Sequence, residues 1–239
     1  MSERNLPADK ARKLKPGDNH YRAYVGPPKR YSFMSLSQIG ILFAAGLKET
    51  DTVLDFGCGS LRVGRMLIPF LHEGGYFGID PNQWLIEDSI KHELGQDSIA
   101  LKKPRFLHND DFDCGVFNEK FDFILAQSIV THSGSKISET LFKSAAGALK
   151  GDGIFLLNYK QGSENTPLPE EGWTYPQVVP YAPSTMLDFL HAAGFHAIET
   201  PWFHPGVKWV AATLSPDRLP SEEELKSWIG KPVQRSLVD

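Results

Sequence analysis

Short apolar runs alternate with amphipathic stretches along most of the chain. The apolar runs predict strands over 52–54, 76–80, 105–108, 121–128 and 154–158. Between them, apolar residues recur three and four positions apart, which predicts amphipathic helices over 36–47, 63–71 and 137–149 and a further helix near 82–93. Because strands alternate with helices, the pattern favours an α/β fold with a doubly wound, mostly parallel sheet.

The pattern changes after the fifth predicted strand. Residues 161–181 form a long segment with several glycines and prolines, which we expect to be a loop. This loop leaves the carboxyl edge of the sheet, where ligands bind in open α/β folds. A short helix over 186–190 is then followed by a β-hairpin over 197–214 that turns at 204–206, and by a charged helix over 221–229.

The turn between the first predicted strand and its helix contains two glycines, Gly57 and Gly59, preceded by Asp55. Glycine lets the backbone approach a ligand where a Cβ would collide, and the following helix offers unpaired N–H groups to a carboxylate or phosphate. The second predicted strand ends in Asp80, 21 residues after Gly59. A ribose-binding carboxylate lies at about this spacing in a βαβ unit, so the two motifs together predict a cofactor cradle.

These motifs resemble those of the class I S-adenosylmethionine (SAM) dependent methyltransferases. The resemblance covers residues 36–214 and rests on five motifs in the family's order: 53–59, 78–80, 109–112, 121–128 and 149–155. It implies a Rossmann-like, mostly parallel seven-stranded sheet with a C-terminal antiparallel β-hairpin. It also implies SAM as cofactor and S-adenosylhomocysteine as product. The chain departs from the family's pattern at Leu61, where many members have a third glycine, and at Asp152, where a glycine is common.

The resemblance further implies which residues contact the cofactor. Asp80 would accept hydrogen bonds from both ribose hydroxyls, and the two glycines of the turn would lie against the methionine portion. Asp111 with Phe112 would bind adenine, or Asp110 if the motif is shifted by one residue. The expected cofactor-binding residues are Asp55, Gly57, Cys58, Gly59, Arg62, Asp80, Pro81, Asp110, Asp111, Phe112, Gln127 and Ser128.

Charged residues near the glycine turn have alternative roles. Asp55 could accept N–H bonds from the loop or reach the SAM ammonium group through water. Arg62 and Arg65 stand near the start of a predicted helix, where the helix dipole disfavours a cation by about 0.3–1 kcal/mol. We therefore expect each arginine to have an anionic partner, which could be the SAM carboxylate, a substrate anion or a nearby acidic side chain.

Residues after the fourth predicted strand would face the methyl acceptor. Among them, His132 is the candidate catalytic base, because imidazole titrates near neutral pH. A structural role for His132, in packing or in capping a helix, fits the sequence equally well. Aromatic residues could also line or cover the acceptor, and the expected substrate-binding residues are Tyr24, Tyr31, Thr131, Tyr159, Trp173 and Tyr181.

Composition adds further expectations. The 239 residues are 41% hydrophobic and 23% charged, which is ordinary for a globular enzyme, and no apolar run is long enough for a membrane span. Cys58 and Cys114 provide neither a disulfide framework nor zinc-ligand spacing. We therefore expect a cytoplasmic protein with no metal site.

Positive charge is concentrated at the N-terminus. Residues 1–30 contain eight Lys or Arg and three acidic residues, although the whole chain has a net charge of −4. Such an arm could steer an anionic substrate, and a solvated extension is the simpler interpretation. No basic, aromatic-containing face continues into the body, so nucleic acid is not the expected partner. We divide the chain into a basic arm or lid (1–35), a SAM-binding domain (36–214) and a tail (215–239).

The sequence favours transfer of a methyl group from SAM to an oxygen or nitrogen atom of a small-molecule acceptor. One alternative is a nicotinamide-dependent oxidoreductase, which is disfavoured because Arg62 stands where such enzymes have a third glycine, and by the terminal hairpin. Another is a SAM-binding partner subunit without catalysis, which a closed acceptor side would favour. The oligomeric state and the acceptor's identity do not follow from the sequence.

Overall fold

One central sheet organises the chain in the computed structural model, which describes residues 3–230. The end of the predicted tail, 231–239, lies outside the described residues, as do residues 1 and 2. The strands are β1 (Val53–Phe56), β2 (Tyr76–Ile79), β3 (Arg105–Leu107), β4 (Phe121–Ala126), β5 (Leu149–Gln161), β6 (Pro180–Tyr181), β7 (His196–Thr200) and β8 (Lys208–Thr213).

The strand order is β3-β2-β1-β4-β5-β8-β7, and the short β6 pairs with β5 beside this path. The pairs among β1 to β5 are parallel, whereas β8 runs antiparallel to both β5 and β7. This arrangement confirms the predicted fold class, a mostly parallel seven-stranded sheet with a C-terminal antiparallel hairpin. The carboxyl ends of β1, β2 and β4 meet at one edge of the sheet.

Helices cover both faces of the sheet. They are α1 (Ala8–Ala11), α2 (Tyr21–Tyr24), α3 (Tyr31–Ala44), α4 (Gly64–Phe70), α5 (Gln83–Ser89), α6 (Gln96–Lys102), α7 (Ser135–Ala148), α8 (Pro183–Ala192) and α9 (Glu222–Ser227). A π-helical turn, Ile90–Leu94, joins α5 to α6. Strands β1 and β2 are buried along their whole length, as expected for a parallel sheet between two helical layers. No helix within residues 3–230 is long and apolar enough to cross a membrane.

Alternate strand residues enter two separate apolar clusters. Leu54 packs in a cluster with residues of α7 and α8, whereas its neighbour Val53 packs with residues of α3 and α4. This alternation follows from the two-residue period of a strand, which sends successive side chains to opposite faces. The core therefore has one layer on each side of the sheet.

The terminal hairpin is shorter than predicted at its turn, because β7 ends at Thr200 and β8 begins at Lys208. The intervening segment instead folds onto α3. The Trp202 indole donates a hydrogen bond to Ser37 Oγ at 3.1 Å, and a Cβ placed on Gly40 would lie 2.8 Å from the Trp202 ring. This packing brings the 201–207 loop to the carboxyl edge of the sheet.

Part of the N-terminal arm packs onto the body of the protein. His20, Tyr21 and Ala23 are buried. Glu93, in the π-helical turn, accepts hydrogen bonds from the Arg22 guanidinium and from the Tyr21 hydroxyl. The arm thereby reaches the same edge of the sheet as the glycine turn.

Candidate active site

Two adjoining cavities open at the carboxyl edge of the sheet. We name them the His132 cavity, of about 330 Å³, and the Phe112 cavity, of about 370 Å³. Both sizes lie in the range of small-molecule sites. The residues lining both cavities are Gly57, Asp80, Asn82, Ile129 and Trp173. An extended ligand can therefore pass from one cavity into the other across the ends of β1 and β2.

The glycine turn forms part of the wall between β1 and α4. Gly57 and Gly59 have φ angles of 74° and 52°, and a Cβ at position 57 would lie 2.1 Å from the Ile129 Cδ1 atom. Leu61, which departs from the family's third glycine, is buried and also has a positive φ, 50°. The loop thus keeps a left-handed residue at this position, and α4 begins only at Gly64. Glycine is required for steric reasons at position 57.

Asp80 stands where the two cavities join. Its Oδ2 atom accepts a hydrogen bond from the Gly59 N–H at 2.9 Å, and its Oδ1 atom accepts two from Asn82, at 2.8 Å and 3.1 Å. Burial raises the pKa of the Asp80 carboxyl, and these bonds oppose that effect. A carboxylate offers about four acceptor positions, so Oδ2 retains one for a ligand hydroxyl.

The Phe112 cavity combines aromatic walls with polar atoms. The rings of Phe56 and Trp173 lie 5.9 Å and 6.1 Å from the Phe112 ring, centroid to centroid. Pro81, Asn109 and Asp110 also line it. The buried Asn109 Oδ1 atom has no hydrogen-bond partner among residues 3–230. Such an orphaned acceptor in a cavity wall is available to a ligand N–H group.

Asp111 does not line this cavity. Its carboxylate accepts hydrogen bonds from the Asn109 side-chain amide at 2.5 Å and from the Asp113 N–H at 3.1 Å, and both lower its pKa. It therefore stabilises the turn after β3. Of the two alternatives for adenine, the structure places Asp110 at the cavity and Asp111 outside it.

The side chains of Asp55 and Cys58 point to the layer beneath the glycine turn. The Asp55 carboxyl accepts a hydrogen bond from the Tyr76 hydroxyl at 2.7 Å, and burial raises its pKa to about 7. It accepts no N–H bond from the loop in the described part of the chain. The Cys58 sulfur lies close to Gly78, and burial raises the pKa of the thiol. Neither side chain lines the two cavities, so direct cofactor contacts from them are not supported.

Arg62 and Arg65 have different surroundings. Arg65 forms an ion pair with Glu93 at 2.8 Å. Of the three anionic partners considered from the sequence, Arg65 thus has a nearby acidic side chain. Arg62 lines the His132 cavity and donates to two neutral acceptors, Val25 O at 3.0 Å and Gln38 Oε1 at 3.3 Å. Burial lowers the pKa of its guanidinium. Arg62 is therefore positioned to receive an anionic ligand group.

His132 is held in one orientation by its partners. Its Nδ1 atom lies 2.6 Å from the carbonyl oxygen of Gln177. Because a carbonyl only accepts, Nδ1 carries the proton and Nε2 keeps its lone pair. Burial lowers the pKa of His132, which keeps the ring neutral at pH 7. The Tyr175 and Trp173 rings contact it edge-on at 4.9 Å and 5.6 Å. A neutral ring with a free Nε2 lone pair is the state that a proton acceptor needs.

Gln127 and Ser128 follow β4 and line the same cavity. The buried Gln127 Oε1 atom has no hydrogen-bond partner within residues 3–230, and the Nε2 atom contacts only the Met34 sulfur, at 3.8 Å. Ser128 has a φ of 60°, and its N–H donates to Asn158 Oδ1 at 2.8 Å. A left-handed, non-glycine residue is a strained conformation that recurs at functional sites.

Comparison with known proteins finds no matching protein-family model and no matching curated protein. Solved structures do match. Magnesium protoporphyrin IX methyltransferase (ChlM) from Synechocystis PCC 6803, with bound SAM, superposes with a TM-score of 0.59 at 15% identity, over 89% of this chain and 93% of that one. The glycopeptide N-methyltransferase MtfA has a TM-score of 0.57 at 15% identity, over 75% and 90%.

A third match is an O-methyltransferase family protein from Burkholderia thailandensis, with a TM-score of 0.55 at 16% identity, over 79% of this chain and 59% of that chain. This chain has the class I methyltransferase fold. The fold predicted from the five sequence motifs is thereby confirmed, and at these identities the likeness concerns the fold.

Within this methyltransferase fold, three of the predicted acceptor residues lie in the core. The Tyr31 hydroxyl donates to Ser60 O at 2.8 Å, and the Tyr181 hydroxyl donates to Ser133 O at 2.7 Å. Tyr159 is fully buried, and its hydroxyl bonds to Glu199. These tyrosines join elements of the fold, so the structure does not support substrate contacts from them.

Thr131 is also buried, and its hydroxyl has no hydrogen-bond partner among the described residues. It lines neither cavity, because the turn after β4 directs His132 rather than Thr131 to the site. Tyr24 and Trp173 do line the His132 cavity, as expected. The structure thus brings two of the six predicted acceptor residues to the site.

Several lining residues were missed by sequence reasoning. They are Arg30, Met34, Asn82, Asn109, Tyr175 and His204. Asn82 and Asn109 could have been found from the sequence, because they follow β2 and β3 at the carboxyl edge, where ligands bind in parallel sheets. The others come from distant segments and have no local pattern. Within residues 3–230, no three His, Cys, Asp or Glu side chains are grouped to hold a metal ion.

Proposed function

We propose that this protein is a SAM-dependent methyltransferase that transfers a methyl group to an oxygen or nitrogen atom of a small-molecule acceptor. The observation that carries the proposal is the pair of adjoining cavities, joined at Asp80 and Gly57, in a class I methyltransferase fold. Of the similar structures, ChlM and MtfA were each solved with SAM or S-adenosylhomocysteine. One cavity would hold the adenosine part, and the other the methionine part and the acceptor.

The Phe112 cavity fits an adenine ring. Phe112 and Phe56 offer apolar faces, and the ring of a purine stacks on such surfaces. The orphaned Asn109 Oδ1 atom and the Asp110 carboxylate are acceptors for the exocyclic amine. This assignment gives the unpaired Asn109 oxygen a partner.

The Asp80 carboxylate fits a ribose. Three N–H bonds fix its orientation and leave one acceptor position on Oδ2. In this geometry Asp80 accepts one ribose hydroxyl, and a second would require the Asn82 side chain to move. Asn82 lines both cavities, so in this proposal its amide would bind the second hydroxyl.

The inner part of the His132 cavity fits the methionine end of SAM. Gly57 and Gly59 allow close approach, the free Gln127 Oε1 atom suits an ammonium group, and Arg62 suits a carboxylate. Ser128 lies beside Gln127 in the same wall. Asp55 would act indirectly, by supporting the turn through its bond to Tyr76.

When bound, SAM supplies an electrophilic methyl group for an in-line displacement. The chain's part is to orient the acceptor, to exclude water and to remove a proton. His132 is assigned the last role, since it is neutral and its Nε2 lone pair is free. An acceptor hydroxyl or protonated amine would transfer its proton to that atom.

The N-terminal arm and the 161–181 loop would together form a lid over the acceptor. Tyr24 and Arg30 of the arm, and Trp173 and Tyr175 of the loop, all line the His132 cavity. The Tyr175 hydroxyl donates to Tyr24 O, which links the two segments directly. A lid built this way would exclude water from the transfer step.

Thermal unfolding with SAM, S-adenosylhomocysteine, NAD or NADP tests the proposal. A ligand at 100 times its dissociation constant stabilises the folded state by about 2.7 kcal/mol, which raises the melting temperature of a domain this size by several degrees. We expect shifts with SAM and S-adenosylhomocysteine alone. A shift only with a nicotinamide nucleotide would support the oxidoreductase alternative, and no shift would contradict the cofactor assignment.

Transfer of label from methyl-labelled SAM then separates an enzyme from a SAM-binding subunit. We expect label in the small-molecule fraction of a cell extract incubated with the protein. SAM binding without transfer of label would contradict the enzymatic proposal, and label in protein or nucleic acid would contradict the acceptor class.

A further inference from the structure

The His132 cavity has an excess of positively charged side chains. Arg30 and Arg62 both line it, and so does His204, from the 201–207 loop that joins β7 to β8. The one acidic residue lining this cavity in the described part of the chain is Asp80, at the inner end. The cavity therefore has more cationic than anionic groups before any ligand enters.

Neither of these arginines has a carboxylate partner among residues 3–230. Arg62 donates to Val25 O and Gln38 Oε1, and the Arg30 guanidinium makes no hydrogen bond or ion pair with a described residue. Two other arginines of the same region do have a carboxylate partner, since Arg22 and Arg65 share Glu93. A partly buried cation without a counter-ion is unfavourable, and an anionic ligand group would offset that cost.

His204 adds a neutral hydrogen-bond donor. Its Nδ1 atom accepts from the Gly206 N–H at 3.1 Å and the Val207 N–H at 3.2 Å, so the ring proton is on Nε2. Burial and the charges of Arg62 and Arg30 lower the pKa of His204 to about 4. The ring thus donates without adding a third positive charge.

The cofactor would increase the positive charge further, a step that rests on the proposed function. SAM has a sulfonium, an ammonium and a carboxylate group, and so brings one net positive charge. Arg30, Arg62 and SAM then contribute three positive charges against the one negative charge of Asp80. An acceptor with an anionic group would be attracted to this excess, and a cationic one repelled.

The other walls of the cavity are aromatic and apolar. Tyr24 and Trp173 line it, and Tyr175 lies 5.9 Å from the Tyr24 ring and 4.9 Å from the His132 ring. Met34 adds a polarisable sulfur. Aromatic rings at such spacings prefer stacked or edge-on contacts with another ring.

We propose that the acceptor is an aromatic acid, whose carboxylate or phosphate binds Arg30 and His204 and whose ring lies among Tyr24, Trp173 and Tyr175. The nucleophilic oxygen or nitrogen on that ring then faces His132. Arg62, nearer the glycine turn, is left to the methionine carboxylate. The Arg30 site is thus distinct from the cofactor's own anion site.

Binding of simple probes to the protein saturated with S-adenosylhomocysteine tests this proposal without an activity assay. The probes are benzoate, phenyl phosphate, the neutral benzamide and the non-aromatic acetate, titrated by calorimetry. We expect benzoate or phenyl phosphate to bind at least tenfold more tightly than benzamide and acetate. The stronger of the two anions identifies the acid as a carboxylate or a phosphate.

Arg30→Gln and its matched control, Lys29→Gln, locate the site. Both variants remove one positive charge from adjacent positions, but Lys29 is exposed and does not line the cavity. Loss of a charged hydrogen bond predicts about tenfold or greater weakening of the anionic probe in Arg30→Gln. Lys29→Gln should bind it within twofold of the unaltered protein, and Arg30→Lys, which keeps the charge, should retain part of the affinity.

Three results would overturn the inference: neither aromatic anion binds more tightly than benzamide, acetate binds as tightly as the aromatic anions, or Arg30→Gln binds the stronger anion normally. Weakened S-adenosylhomocysteine binding in Arg30→Gln would also overturn it, because Arg30 would then belong to the cofactor site. If S-adenosylhomocysteine does not bind at all, the probes are titrated into the protein alone, and anion binding that depends on Arg30 would then leave the anion site standing while the methyltransferase proposal fails.

Discussion

The two cavities share a wall but are built differently. Most residues of the Phe112 cavity lie at or just after the ends of β1, β2 and β3, and Ile129, Ile137 and Trp173 complete its wall. The His132 cavity combines the turns after β1, β2 and β4 with the N-terminal arm, the 161–181 loop and the 201–207 loop, which are far apart in the chain. The Phe112 cavity is formed mainly by the strand ends of the sheet, whereas the His132 cavity depends more on the packing of distant segments.

This difference matches the chemistry that we assign to each side. The cofactor side needs fixed backbone geometry, which the strand ends and the glycine turn provide. The acceptor side can vary through its three loops without altering the sheet. We therefore expect substitutions on the cofactor side to change nucleoside binding, and substitutions on the acceptor side to change turnover.

Replacement of His132 by alanine should have the largest effect. Loss of a catalytic base lowers turnover by about 10²–10⁴-fold, whereas binding of S-adenosylhomocysteine should be unchanged. The base acts when it is neutral, and burial lowers the pKa of His132. As the pH decreases, turnover should therefore stay constant until the pH is below the usual pKa of a histidine, and should fall only there. Steady-state rates between pH 4.5 and 9 check both points.

His72→Ala is the matched control, since His72 is exposed and lies outside both cavities. It should retain normal turnover and the same pH profile. Near-normal turnover in His132→Ala would mean that His132 packs against Trp173 and Tyr175 without taking part in the chemistry.

Asp55 provides a test of stability on the cofactor side. Its pKa is raised from 3.8 to about 7 by burial, so the folded state retains a proton that the unfolded state loses. The free energy of unfolding should therefore fall between about pH 4 and pH 7, by up to about 4 kcal/mol. Asp55→Asn should remove this decrease, measured by denaturant unfolding, and leave nucleoside affinity almost unchanged. A large loss of affinity would show that Asp55 contacts the cofactor.

The glycine turn can be tested with two matched substitutions. Gly57 and Gly74 have nearly the same φ, 74° and 75°, but a Cβ at position 57 collides with Ile129 and one at position 74 meets nothing within 4 Å. Gly74→Ala should cost about 1–2 kcal/mol of stability and leave nucleoside binding intact. Gly57→Ala should also weaken S-adenosylhomocysteine binding more than tenfold in calorimetry. Equal affinities of the two variants for S-adenosylhomocysteine would contradict the proposal that the cofactor lies against the turn.

Alanine substitutions of the adjacent acids Asp110 and Asp111 should have the smallest effects on nucleoside binding and stability. Asp110→Ala removes one acceptor from the Phe112 cavity and should weaken nucleoside binding by about 0.5–1.5 kcal/mol. Asp111→Ala should leave affinity unchanged and lower stability slightly, because it removes bonds within the turn. The reverse result would restore the alternative in which Asp111 binds adenine.

The sequence was sufficient for the fold and for placing the glycine turn and Asp80 at the carboxyl edge of the sheet. Strand ends, two glycines and Asp80 are local features, and their spacing follows from the βαβ unit itself. The side chains of Asp55 and Cys58, which were also expected to contact the cofactor, line neither cavity, because the motif alone does not say which way a side chain faces. Their side chains point to the layer beneath the turn.

The acceptor side was predicted less well, for a physical reason. A tyrosine in a helix or strand looks the same in the sequence whether it faces a cavity or the core. Tyr24 reaches the site because the arm folds back onto the sheet edge, whereas Tyr159 and Tyr181 bond to neighbouring elements. Arg30 and His204 are brought there by packing of α3 and the 201–207 loop, which no local pattern records.

Titration of S-adenosylhomocysteine into the unaltered protein and into Asp80→Ala, by calorimetry, tests the central claim most directly. The claim is that one nucleoside spans both cavities with its ribose at Asp80. Loss of a charged hydrogen bond predicts affinity lower by about 1.5–3 kcal/mol, or roughly 10- to 150-fold, in a variant that unfolds normally. Equal affinity in the two proteins, or no binding to the unaltered protein, would contradict it.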